Sequence, residues 1–343
     1  MLLDWYDQNH RTLPWRVSPA DRKAGVSADP YRVWLSEIML QQTTVAAVED
    51  FFLKFTKAWP DVHALAAAPE EDVLGAWAGL GYYARARNLI RCAGVVSQEL
   101  EGEFPNNMED LRALPGIGPY TAGAIAAIAF DRPATVVDGN VERVMARVFA
   151  VEDPMPRAKR LLREHAKTLT PAARPGDYAQ AVMDLGATIC TPRRPSCGKC
   201  PWADGCQGRA QGIAESLPRK APKKDKPIRQ GFAWALFDDL GQVATERRPN
   251  KGLLGGMLAL PSSNWGRSPD PKPPYPGGWR DIGEIRHTFT HFHLRLTVMV
   301  ARVQTPDAVF QDPELAIRQM PTVFAKALKL AASAVSSDFG NSD

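Results

Sequence analysis

The sequence contains no apolar run long enough to cross a membrane, and its first residues, Met1 to Arg16, are polar and aromatic, unlike a signal peptide. A soluble, cytoplasmic protein with no membrane partner is expected. Cysteine is sparse, with five in 343 residues, and four of these fall within Cys190–Cys206. That clustering disfavours a dispersed disulfide framework and favours a metal. The fifth, Cys92, reads as a small buried hydrophobe. Histidine is nearly as sparse, with six. Three of the six sit at His287, His291 and His293, but no carboxylate joins them, which weakens a histidine metal site. Excess charge is small: 42 Lys and Arg stand against 38 Asp and Glu, a net +4. The segment Gly208–Arg229 holds seven Lys or Arg and two Asp or Glu, so its own +5 exceeds the total. Basicity by itself is therefore a poor argument for nucleic acid. Lysine is missing altogether between Arg112 and Arg157, which removes any amine nucleophile from that stretch.

What is present begins with size. At 343 residues and 45% hydrophobic content the chain can bury two ordinary cores. Its organising stretch is Leu111–Arg147, two helical segments joined by a glycine-rich turn, Leu114-Pro115-Gly116-Ile117-Gly118-Pro119. Pro119 suits the first turn of the second helix, expected over Tyr120–Phe130. A glycine turn that opens a helix exposes unpaired N–H groups and favours a phosphate, although a lone G-x-G more often marks a close helix contact. Directly beyond lies Val136-Val137-Asp138-Gly139-Asn140-Val141, which places a carboxylate before a further helix, Glu142–Val148. An Asp at such a position is also a natural N-cap.

Upstream, a charged loop, Arg16–Pro30, leads into one long helix expected from Tyr31 to about Phe55. Trp34, Glu37, Gln41, Val45, Val48 and Phe52 form a stripe on it at helical spacing. Glu37 either edges that stripe or is buried in it. Burial raises a carboxyl pKa and suits it to general acid work near neutral pH. Gly79-Leu80-Gly81-Tyr82-Tyr83 then precedes a helix carrying Arg85, Arg87 and Arg91. Tyrosines at such a turn are usually packing plugs, but a rigid ring also serves as a wedge in a base stack. Cys190, Cys197, Cys200 and Cys206 form a C-x6-C-x2-C-x5-C run. Four-cysteine ligation is indicated, with zinc and iron–sulfur both open on spacing. Composition over 208–229 reads as a basic linker. Beyond it the periodicity becomes that of strands: Phe232–Phe237 first, then Thr290–Arg302, where Phe292, Leu294, Leu296, Val298 and Val300 alternate with outward polar residues.

Taken together, WLSEIMLQQT (34–43), GLGYYARARNL (79–89), LPGIGPYTAG (114–123), VVDGNVERV (136–144) and the cysteine spacing resemble the adenine DNA glycosylases of the MutY type, within the helix-hairpin-helix, endonuclease III-like superfamily. The resemblance runs from Trp5 to Cys206. It implies a multi-domain chain, α then α+β: an all-helical, two-lobed glycosylase domain over 1–207 with a [4Fe-4S] loop at 190–206, then the linker 208–229. The last part, 230–337, resembles the family's Nudix-like α/β domain, with GLLGGMLALP (252–261) as its strand-turn segment. The implied activity is hydrolysis of the adenine N-glycosidic bond in duplex DNA where adenine faces 8-oxoguanine or guanine, by a monomer associated with the nucleoid. In that scheme Glu37 protonates the base and later activates water, and Asp138 stabilises the sugar cation. Tyr120 and Asn140 support them, and Cys190, Cys197, Cys200 and Cys206 hold the cluster. Arg16, Gln42 and Tyr82 touch the base or its stack, Gly116 and Gly118 the phosphate, and Phe289, Thr290 and His291 the lesion. The family's loop commonly has Ser where this chain has Thr290. No acidic R-E-x-x-E-E helix follows the glycines at 252–256, so Nudix pyrophosphatase chemistry lacks its ligands. A lyase of the endonuclease III kind lacks its lysine, since Tyr120 stands at that place.

Overall fold

The computed structural model describes residues 1–222, 225–249, 252–302 and 308–339. They divide into two compact units, Met1–Pro222 and Lys223–Asp343.

The first unit is helical. Its opening helices are α1 (Leu2–Asn9), α2 (Pro19–Lys23), α3 (Pro30–Met39), α4 (Val45–Ala58), α5 (Val62–Ala67), α6 (Glu70–Ala76) and α7 (Ala84–Glu99). The rest are α8 (Met108–Ala113), α9 (Pro119–Ile128), α10 (Gly139–Val148), α11 (Lys159–Leu169), α12 (Pro175–Thr188) and α13 (Gln207–Ala210). The single helix expected over 31–55 is two. Asp29 caps α3 by accepting from the Tyr31 N–H at 2.8 Å, and Pro30 fits its first turn. Gln42 then adopts a left-handed φ of 60°, and Thr44 caps α4. Periodicity missed this break because the stripe resumes in phase beyond it, with Val48 and Phe52 buried in the same core as Trp34 and Glu37.

The turn between α8 and α9 has the expected form. Gly116 sits at φ +77°, and a Cβ there would lie 2.7 Å from the Asn88 Cβ, so both backbone freedom and close packing demand glycine. Every residue of α9 from Thr121 to Ile128 is buried, the mark of a helix enclosed on all sides. Helices α9 and α10 both pack on α12. Gly186 of α12 brings that helix so near α10 that a Cβ would meet the Asn140 Cβ at 2.7 Å. Trp34 and Trp77 are fully buried in this core. Truncating either to Ala would cost about 3–5 kcal/mol.

The stretch expected as a free basic linker begins inside this unit. Gly208, Ala214 and Leu217 are buried, and the compact units part between Pro222 and Lys223. Charge content suggested solvent, but the apolar residues between the charges find a surface to cover. Lys223 and Lys224 lie outside the described residues.

In the second unit the strands are β1 (Ile228–Phe237), β2 (Val243–Arg247), β3 (Leu258–Ala259), β4 (Arg280–Thr288), β5 (His293–Arg302) and β6 (Val309–Gln311). The sheet order is β3-β2-β1-β5-β4, with β6 on β2. The central pair β1 and β5 is parallel, from Ile228↔His293 to Phe237↔Arg302. Helices α14 (Pro313–Gln319) and α15 (Thr322–Phe339) follow. Phe324, Ala327 and Leu328 of α15 pack against Leu294, Leu296 and Val298, the inward residues of β5, as its alternation implies. Among the described residues, no helix is long and apolar enough to cross a membrane.

Candidate active site and cysteine loop

A cavity of about 460 Å³ opens in the helical unit, and Arg16, Glu37, Gln42, Tyr120, Asp138 and Asn140 all line it. Five residues from three separate motifs, with Arg16 from the loop before α2, thus meet in one place. Glu37, near the end of α3, is 7% exposed. Burial is the main cause that pushes its pKa from the ordinary 4.5 up to about 7. The Tyr120 hydroxyl donates to it and pulls the other way, Asp138 adds to the rise, and Arg16 opposes it. Burial likewise drives the Tyr120 hydroxyl well above the ordinary tyrosine range, so it remains a donor.

Asp138 is the N-cap of α10: its Oδ1 accepts from the Val141 N–H at 2.7 Å. Its Oδ2 accepts from Asn140 Nδ2 at 3.1 Å. The capping role and the cavity position coexist, because one carboxylate oxygen serves the helix while the group faces the cavity. Asn140 Oδ1 in turn accepts from Arg143 Nη2 at 2.8 Å, and Arg143 Nε donates to the Cys190 carbonyl at 2.8 Å. A run of hydrogen bonds therefore links Asp138 to the start of the cysteine loop.

Arg16 lines the cavity with its Nη1 engaged by Asp184, at 2.9 and 2.7 Å from the two carboxylate oxygens. Asp184 is fully buried on α12 and also takes the Arg11 N–H at 3.0 Å and its Nε at 2.6 Å. Gln180, buried about one turn before Asp184 on the same helix, also lines the cavity. Asp184, Gln180 and Arg143 escaped sequence reasoning. Asp184 and Gln180 lie on α12, a mostly apolar helix that reads as ordinary core, and Arg143 on α10 reads as the charged face of the helix after Asp138. The available signal was the pair of buried polar positions four residues apart on α12.

Two non-glycine residues of the predicted site carry left-handed backbone: Gln42 (φ 60°), which lines the cavity, and Tyr82 (φ 49°), which is not among its lining residues. Such strain persists only where surroundings enforce it. For Tyr82 the enforcing group is Arg85. Its Nη1 donates to the Ile38 carbonyl at 2.8 Å and its Nη2 to Leu80 at 2.8 Å, with the guanidinium 5.8 Å from the Tyr82 ring. The Tyr82 ring itself is 63% exposed, unusual for a large aromatic. At the hairpin, Gly118 begins α9 with no side-chain cap, leaving its first-turn N–H groups to an outside acceptor.

Cys190, Cys197, Cys200 and Cys206 ring a second cavity whose other walls include Val144, Leu185, Ile189 and Trp202. Four thiols lining one apolar space suit an iron–sulfur cluster held by cysteine thiolates. When bound, the cluster supplies the iron–thiolate bonds that fix the loop. The protein contributes the thiolates and the apolar wall.

In the second unit, Phe289 is half-buried while Thr290 and His291 are exposed at the turn between β4 and β5. The turn is closed by the Phe289 N–H to the Phe292 carbonyl at 2.9 Å, and Lys226 Nζ donates to the Phe289 carbonyl at 2.9 Å. His293 is occupied by the Thr288 hydroxyl at 2.9 Å.

Residues 35–171 match the HhH-GPD superfamily of base excision DNA repair proteins, and residues 190–206 the iron–sulfur binding domain of endonuclease III. Residues 232–330 match the NUDIX domain. Among solved structures, a thermostable thymine-DNA glycosylase superposes with a TM-score of 0.54 at 30% identity, covering 61% of this chain and 94% of that one. An endonuclease III–DNA complex shares the fold at 22% identity, with a TM-score of 0.50 over 62% of this chain and 93% of that one. Fold, cavity and cysteine loop together define the class: a helix-hairpin-helix DNA glycosylase of base excision repair, a hydrolase with an iron–sulfur cluster. The adenine DNA glycosylase of Homo sapiens is 38% identical over 368 residues, spanning 89% of this chain and 67% of that protein. That of Mycolicibacterium smegmatis is 42% identical over 246 residues, spanning 71% and 81%. The chain belongs to the adenine DNA glycosylase family.

Proposed function

We propose that this protein removes adenine lying opposite 8-oxoguanine or guanine in duplex DNA, as a monomer and by hydrolysis alone. The observation that carries this reading is the buried Glu37, with a pKa near 7, sharing one cavity with Asp138. The flipped adenine enters the cavity, and Glu37 donates its proton to ring nitrogen N7. The glycosidic C–N bond then breaks with its electron pair leaving on the base. Asp138, negative and held by Asn140 and the α10 N-terminus, stabilises the cationic sugar carbon. Glu37, now a carboxylate, takes a proton from the water that attacks that carbon, which closes the proton balance. General acid action of this kind supplies roughly 10²–10⁴ in rate.

Among the described lining residues none is a lysine, in keeping with hydrolysis and not with a Schiff-base lyase step. Gln42 and Tyr82 are assigned to the stack around the vacated position, and the turn at Gly116 and Gly118 to a backbone phosphate. Arg16 is assigned to the wall that meets the base, through whatever reach its Asp184 pairing leaves it. Phe289, Thr290 and His291 are assigned to reading the opposite base. The test is strand cleavage of two duplexes. Adenine opposite 8-oxoguanine should break only after alkali. Breakage of a thymine glycol duplex without alkali, and none at adenine, would refute the proposal.

A further inference from the structure

The guanidinium of Arg147, on α10 one turn beyond Arg143, is 1% exposed. No Asp or Glu among the described residues comes within 4 Å of it as an ion-pair partner. A buried cation without a counter-charge is costly, by several kcal/mol even after relaxation. Its neighbours on the page are of two kinds. Nε donates to the Leu217 carbonyl at 3.1 Å, Nη1 to Thr191 at 2.7 Å and Nη2 to Pro192 at 3.3 Å. Those are neutral acceptors. Nη1 also points at Cys190 Sγ, 3.3 Å away, and Arg147 lines the cavity ringed by the four cysteines. Among the described residues, those sulfurs, as thiolates, are the groups placed to balance its charge.

We propose that Arg147 is the buried counter-charge of the iron–sulfur cluster, and that its N–H···S bond to Cys190 raises the cluster's reduction potential. A cation fixed beside the ligand sulfur favours the more negative, reduced state, and low polarity in this apolar cavity strengthens the effect. Arg143 differs in kind: it reaches the same cysteine at the carbonyl oxygen and the active-site Asn140, not the sulfur. Arg147 is thus a positioning and tuning residue that touches no substrate.

The test is a redox titration of the loaded, full-length protein by electron paramagnetic resonance, comparing wild type with Arg147→Lys and Arg147→Met. Lysine keeps the charge and loses the fork; methionine keeps length and loses both. Arg147→Met should favour the oxidised form about tenfold more at a given potential, which is about 59 mV for one electron. Arg147→Lys should retain most of the wild-type midpoint. A Met variant that folds by circular dichroism but takes up no iron, beside a Lys variant that does, also supports the assignment, because loading then requires the charge. An unchanged midpoint in Arg147→Met overturns it. So does a Lys variant that behaves as the Met variant does, since that leaves Arg147 only the bracing of three carbonyls.

Discussion

Replacing Tyr120 by Phe isolates the part of the mechanism that depends on Glu37 titrating near neutrality. Glu37 must be protonated to act as acid, so activity is present below its pKa and lost as pH rises through about 7. In the structure the Tyr120 hydroxyl donates to that carboxyl and holds its pKa down against burial. Removing the donor leaves the ionised carboxylate less well solvated. A hydrogen bond to a charged group is worth about 1.5–3 kcal/mol, and 1.36 kcal/mol corresponds to one pKa unit, so the shift is roughly one to two units upward. Phe adds a little desolvation in the same direction. Single-turnover excision of adenine, measured from pH 5 to 10 at saturating protein, should therefore show its alkaline limb moving from about 7 to about 8 or beyond. The readout is the position of the limb, so a lower plateau rate does not obscure it. If the limb stays in place or moves down, Glu37 is not the titrating acid, or Tyr120 does not govern it. The stability consequence has a defined sign too. Glu37 has a higher pKa folded than unfolded, so its protonation favours the native state below about 4.5, and that contribution fades as pH rises to about 7.

Asp138→Asn keeps the α10 cap, so thermal stability should move by less than about 1 kcal/mol, and duplex binding should persist. Excision should fall by about 10² or more, and a wild-type single-turnover rate would remove Asp138 from the mechanism. A fragment ending at Pro222, where the compact units part, should still excise adenine but discriminate poorly between 8-oxoguanine and guanine opposite it. Equal discrimination by fragment and full chain contradicts a reading role for the second unit. Thr290→Ala combined with His291→Ala should shrink that preference roughly tenfold to a hundredfold, from the ~1–3 kcal/mol of a lost hydrogen bond, whereas Thr290→Ser should be nearly neutral. The ratio of excision rates on the two duplexes at low protein concentration decides it.

Much of this site was legible in advance because its motifs are local. Gly116 and Pro119 dictate the hairpin through backbone freedom alone. Asp138 announces a cap by standing before a helix, and four cysteines within Cys190–Cys206 have little else to do but bind metal. The α3–α4 break was not legible. Gln42 is not a residue that usually takes left-handed φ, and only the packing of both helices on one core forces it there. The length of the linker was misjudged for a related reason: Ala214 and Leu217 are few among charges, yet a waiting apolar surface buries them.

Sequence alone determined which groups this protein has to work with: two carboxylates in their motifs, a phosphate-shaped turn, four thiolates, and an alternating strand after the helices. Those follow from residue type and short-range spacing. Tertiary structure decided what each group is. The Glu37 carboxyl has its pKa pushed up to about 7 only because helices remote in sequence exclude water from it and Asp138 faces it, against the pull of the Tyr120 hydroxyl. Asp184 becomes a clamp on Arg11 and Arg16 only because α12 passes behind them, more than 160 residues later in the chain. Burial and the sign of neighbouring charges set a group's chemistry, and both are properties of the folded surroundings.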